Sequence, residues 1–115
     1  MKNSNDVYDI NKGIDLAGGN RKLALELIGM LITQLPIQRF EILEAFNQND
    51  MIRLKQHVHK LHGSSQCCGT TSLTIAVKEF ENIIDRNLSD QLESCNTRLL
   101  MEIDRVLKLD TTLYQ

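Results

Sequence analysis

Apolar residues along this chain recur every three to four positions and nowhere alternate convincingly, which is the periodicity of amphipathic helices rather than strands. Asp9 is a natural cap for a first short helix that ends at Ala17, with Gly18-Gly19 as the stop and Asn20 as the cap of the next. In the second helix Leu23, Leu27, Met30 and Leu31 form an apolar stripe that resumes as Ile37, Phe40 and Leu43 and ends near Asn47. Pro36 interrupts it by removing a backbone donor and crowding the carbonyl of Ile32, so a bend is expected there. Asp50 caps a third helix whose apolar side is Leu54, Val58 and Leu61, with Met51 and Cys68 at its edges, and Gly69 turns the chain. A fourth helix starts at Thr70 or Thr71 and carries Leu73, Val77, Phe80 and Ile84. A fifth starts near Ser89 or Asp90 with Leu92, Cys95, Leu99, Ile103 and Val106 at helical spacing. Short links between long helices favour antiparallel neighbours, so the expected fold is all-α: an up-down four-helix bundle with a short extra N-terminal helix over one end.

With 115 residues, 42% of them hydrophobic, one proline and no tryptophan, the chain suits a single Leu/Ile-rich domain spanning 1–115. The polar residues of 1–8 read as a flexible tail or linker remnant. Cys67, Cys68 and Cys95 are odd in number and two are adjacent, which does not suggest a disulfide framework. No apolar run reaches the length needed to cross a bilayer, and the N-terminal residues lack the apolar segment of a signal peptide. A cytoplasmic, monomeric domain is expected, or one at the cytoplasmic face of the membrane as part of a sensor kinase, without direct membrane insertion and without a nucleic-acid partner.

Charge singles out one helix. No Asp or Glu occurs between Asp50 and Glu79, yet all three histidines and Arg53, Lys55, Lys60 and Lys78 lie in that interval, a local basic region in a chain of net charge -2. At about 100° per residue, His59 falls opposite the apolar side of the third helix. Its neighbours on that face are Ile52, Lys55, Gln56, His62, Gly63 and Gln66. A glycine inside a helix costs about 1 kcal/mol relative to alanine. The close approach of another backbone to Gly63 is a compensating reason for it, and Ser64 and Ser65 keep the ground beside His59 low. Spacing alone leaves two plainer readings open, a helix that simply ends at Gly63-Ser64-Ser65 and an exposed histidine without a task.

The run His59-Lys60-Leu61-His62-Gly63-Ser64-Ser65, followed by Gly69, Leu73 and the pair Phe80-Glu81, resembles the signature of histidine-containing phosphotransfer (HPt) domains. Leu35-Pro36, Ala45, Asp50 and Leu54 stand where such domains tend to have similar residues, and the resemblance extends from about Ile10 to Leu107. The usual lysine three residues after the phosphorylated histidine is here His62, a form similar to the C-terminal HPt modules of BarA/GacS-type hybrid sensor kinases. The resemblance implies a phosphocarrier of a multistep His-Asp phosphorelay. It would accept a phosphoryl group on His59 and exchange it with an aspartate of a response-regulator receiver domain. An upstream hybrid histidine kinase would be a further partner if it is not part of the same chain.

That chemistry requires exposure, orientation and compensating charge. The wheel supplies exposure. If the third and fourth helices form a hairpin about Gly69 and Thr70, His59 lies opposite Phe80 and near Glu81, and Glu81 is the acceptor that would orient the imidazole. Compensating charge would come from Lys60, Lys55 and a protonated fraction of His62, since an imidazole lacks the constant charge of lysine. The chain has no glycine-rich nucleotide loop and no carboxylate cluster for magnesium. It is therefore expected to carry no cofactor of its own and to have no autokinase activity, with Mg2+ belonging to the receiver. Two other readings stay open: a docking module that carries no phosphate, and a metal-binding bundle. In the latter His59 and His62 share a face, but His57 points elsewhere and Cys67 lies more than two turns from His59.

Overall fold

The computed structural model describes residues 6–114. Five helices occur in it: α1 Ile10–Leu16, α2 Arg21–Asn47, α3 Met51–Ser65, α4 Thr71–Asp85 and α5 Leu92–Leu107, with short 3-10 turns at Ser89–Gln91 and Thr111–Tyr114. No strand is present among the described residues. Their starts follow the expected chemistry. Lys12 N–H donates to Asp9 at 3.1 Å, Leu23 N–H to Asn20 at 3.0 Å and Arg53 N–H to Asp50 at 3.1 Å, each satisfying an orphan donor of a first turn.

The four long helices close a ring in which α2 packs on α3 and α5, and α4 packs on the same two, while α1 lies against α2. Ile28, Leu35, Ile42, Leu54, Val58, Leu61, Leu73, Val77, Phe80, Leu99 and Ile103 fill the middle. Stripes expected on α3, α4 and α5 coincide with this core, except that Leu92 and Cys95 are half-buried.

On α2 the expected stripe is displaced. Residues facing the bundle are Ala24, Ile28, Leu31, Leu35, Gln38, Ile42 and Ala45, whereas Leu23, Met30, Ile37 and Phe40 are exposed and Leu27 and Leu43 half-buried. Apolar residues occur nearly all round α2, so its own periodicity selects no face and contact with α3 and α5 decides. The helix is uninterrupted across Pro36, whose ring is exposed.

Helix α3 stops at Ser65, short of the expected Cys68. The Ser65 carbonyl accepts from Cys68 N–H at 3.2 Å and from the hydroxyls of Thr70 at 3.3 Å and Thr74 at 3.2 Å, so a tight turn and the start of α4 together satisfy it in place of a continued helix. Gly69 then reverses the chain at φ +72. Its carbonyl accepts from Asp9 N–H at 2.9 Å, which seats the start of α1 on the α3–α4 turn. Residues 1–5 of the expected tail lie outside the described residues. Tyr8, at its other end, is buried and meets Tyr114 edge-on with ring centroids 5.0 Å apart.

Candidate functional site

His59 projects from the outer face of α3 with its side chain 77% exposed, while the adjoining Val58 and nearby Leu61 are fully buried. The hairpin about Gly69 returns α4 alongside it. Phe80 plugs the core, so the next residue, Glu81, emerges at the rim of the bundle with a side chain only 16% exposed. One carboxylate oxygen of Glu81 lies 2.6 Å from His59 Nδ1 and the other 3.0 Å from His62 Nδ1. The second contact was not foreseen. Its signal was nonetheless present, because residues three apart on one helix face the same neighbour.

An ionised carboxylate only accepts hydrogen bonds, so each Nδ1 that faces Glu81 carries a proton. In the neutral rings this places the lone pairs on Nε2. For His62 that nitrogen faces the Gln66 amide nitrogen at 3.3 Å, and the amide donates to it. His62 is therefore held at both ends and its side chain is only 17% exposed. His59 is held at Nδ1 alone, and its Nε2 lone pair is directed away from the carboxylate on a ring that is mostly in solvent.

Around this pair the other sequence candidates separate. Ile52, Gln56 and Gly63 are exposed on the same helix, and a side chain begun at Gly63 would meet nothing within 4 Å. Lys55 is turned toward α4 and pairs with Asp85 at 2.9 Å. Lys60 borders the other flank, in a groove shared with Gln34, Ile37 and Glu41 of α2. Beside His62, an open groove of about 630 Å³ runs along α4 past Ile75, Lys78, Asn82 and Asp85.

His57 and Cys67 are not drawn into the site. The His57 ring faces α2, with Nδ1 3.4 Å from Glu41, and the Cys67 thiol is directed to the Ser64 carbonyl at 3.7 Å. Glu81 instead supplies the third donor beside the two imidazoles, with all three ligand atoms within 4.8 Å of one another.

Comparison with known proteins gives one answer at three levels. The Hpt domain model matches residues 26–109. Over 90 residues, covering 78% of this chain, the sequence is 31% identical to the sensor protein GacS of Pseudomonas syringae pv. syringae. It is 35% identical over 78 residues, 68% of the chain, to the sensor histidine kinase GacS of Pseudomonas protegens. The aligned parts amount to 10% and 8% of those proteins, so the chain corresponds to about a tenth of the curated relatives it matches. The crystal structure of the HPT domain from a hybrid histidine kinase of Shewanella superimposes with a TM-score of 0.83 at 30% identity, covering 90% of this chain and 89% of that one. No described helix is long and apolar enough to cross a membrane. A helical bundle with one exposed, carboxylate-held imidazole thus has both the sequence and the shape of its relatives, and the chain belongs to the Hpt domain family, homologous to the phosphorelay carriers of hybrid sensor kinases.

Proposed function

We propose that His59 is the phosphoacceptor and that Glu81 orients it. The observation that carries this reading is the 2.6 Å contact between Glu81 and His59 Nδ1, which leaves Nε2 of a mostly exposed ring as the nucleophile. Nε2 attacks the phosphorus of an aspartyl phosphate on a receiver domain. The N–P bond forms as the P–O bond to aspartate breaks, and the aspartate leaves as a carboxylate. The ring becomes cationic with its proton still on Nδ1, where the Glu81 carboxylate stabilises it. The reverse sequence hands the group on.

Phosphoryl transfer depends mainly on positioning and electrostatic stabilisation, and the receiver's aspartate site with its Mg2+ supplies what this chain lacks. Ile52, Gln56 and Gly63 form the low ground on which the receiver docks, Gln66 steadies His62, and Lys60 and, in its protonated form, His62 provide the positive rim, Lys55 being paired with Asp85. The chain acts as one monomeric domain on the cytoplasmic side, where a kinase and receiver of the same relay are met.

The test is phosphorylation by a cognate receiver or its kinase. Wild type and His57→Gln are expected to acquire acid-labile phosphate, and His59→Gln none. Label that persists in His59→Gln and vanishes in His57→Gln would overturn the assignment.

A further inference from the structure

We propose that His59, His62 and Glu81 also form a binding site for a divalent transition ion of the zinc type, and that occupation by the ion and phosphorylation of His59 exclude one another. Two imidazole nitrogens and a carboxylate oxygen make up a common three-ligand zinc set that leaves a fourth position for water or an incoming group. Here the three donor atoms already lie within 4.8 Å of one another. They come from two helices whose spacing is fixed from below by the fully buried Val58, Leu61 and Phe80.

Both rings are turned so that Nδ1 faces the same carboxylate, at 2.6 and 3.0 Å. Zinc bonds of about 2.0–2.2 Å at tetrahedral angles separate ligand atoms by roughly 3.3 Å. The two carboxylate contacts must therefore open by less than about 1 Å, and donor atoms as far apart as 4.8 Å must close by up to about 1.5 Å, which the exposed His59 ring can supply by rotation. Imidazole donors favour zinc and its neighbours over magnesium, which demands oxygen ligands and retains its waters.

The exclusion follows from the protons. An ion bound at Nδ1 of two neutral rings displaces the proton of each to its Nε2, so the total number of protons is unchanged. His59 Nε2 then carries N–H in place of the lone pair that attacks phosphorus. The exposed Gln66 amide turns its oxygen to the new N–H of His62. Conversely, a phosphoryl group on His59 Nε2 keeps the proton on Nδ1 of a cationic ring, which has no electron pair left for a metal. This half of the proposal rests on His59 as the phosphoacceptor; ion binding itself does not.

The chain freed of metal by a chelator is titrated calorimetrically with ZnCl2 and with MgCl2. One zinc per chain and a higher melting temperature are expected, with no uptake of magnesium. Affinity should fall at least tenfold in His62→Lys and Glu81→Ala and be unchanged in His57→Gln and Cys67→Ser. Failure of wild type to bind stoichiometric zinc, equal binding of magnesium, undiminished binding in His62→Lys and Glu81→Ala, or loss confined to Cys67→Ser each overturns the site. Chemical phosphorylation by a small phosphoramidate donor should abolish zinc uptake, and undiminished uptake by the labelled chain overturns the exclusion. A chain that accepts phosphate on His59 yet binds no zinc before it is labelled overturns this inference alone. A chain that binds zinc through the three residues but takes no phosphate on His59 supports the site and overturns the phosphoacceptor reading.

Discussion

Gly63 lies within α3 and Gly69 in the turn that joins α3 to α4, and the space around them could hardly differ more. At Gly69 the backbone has φ +72, and a Cβ would lie 2.5 Å from the Asp9 carbonyl oxygen and 2.9 Å from Gly13 N. At Gly63 a Cβ would meet nothing within 4 Å. The first glycine is demanded by the fold, because only a residue without a side chain allows α1 to seat on a left-handed turn. Nothing among the described residues demands the second. A helix-interior glycine is disfavoured by about 1 kcal/mol relative to alanine, and nothing among the described residues compensates for it; on the proposed reading the compensation is the approach of a docking receiver.

The sharpest break in this comparison is Gly69→Ala. Left-handed backbone strain and collision with two backbone atoms should together lower stability by about 2–4 kcal/mol. Urea denaturation measures it, and a loss within about 0.5 kcal/mol would mean that the α1 contact yields at little expense.

The same turn contains Cys68, whose thiol burial pushes up to about 12, with neighbouring Cys67 adding to the effect. Folding therefore binds this proton more tightly than the unfolded chain does. The stability it contributes is complete below the ordinary thiol value of 9.0 and is lost as pH rises toward 12. The slope is at most about 1.4 kcal/mol per pH unit. Cys68→Ala should be less stable at neutral pH, having lost a buried side chain, but should show a shallower decline between about pH 9 and 10.5. Urea midpoints across that range decide the matter, and parallel declines would show that folding holds the Cys68 proton no more tightly than the unfolded chain does.

Legibility in the sequence divides along similar lines. Helices α3 and α4 could be read because polar and apolar residues segregate on them: Leu54, Val58 and Leu61 are buried and His59 is out, as their spacing requires. Helix α2 could not. Ile37 and Phe40 continue an apolar repeat yet face solvent, while Gln38 is buried with no hydrogen-bond partner for its side-chain amide. The face of a helix that is apolar nearly all round is chosen by its neighbours, which no local pattern encodes. In the site, reflection of the hairpin about Gly69 was enough to bring Glu81 to His59. That His62 shares the carboxylate, and that Lys55 turns away to Asp85, depends on side-chain torsions that spacing leaves undetermined.

The smallest effect on stability, and the most direct test of the outward-facing glycine, is expected at Gly63. Gly63→Ala should stabilise the domain by about 0.5–1 kcal/mol, since the open site accepts a methyl group and the unfolded chain loses freedom. Gly63→Gln should remain within about 0.5 kcal/mol of wild type because it too projects into open space. The two variants should part in function: the bulkier chain hinders a docking receiver, so transfer from a phosphorylated receiver slows in Gly63→Gln far more than in Gly63→Ala. Labelling of His59 by a small phosphoramidate, which needs no docking, should proceed at the wild-type rate in both. Slowing with the small donor as well would mean that the substitution disturbs the imidazole itself, and wild-type receiver transfer in Gly63→Gln would mean that no partner comes close enough to that turn of α3 to feel a side chain there.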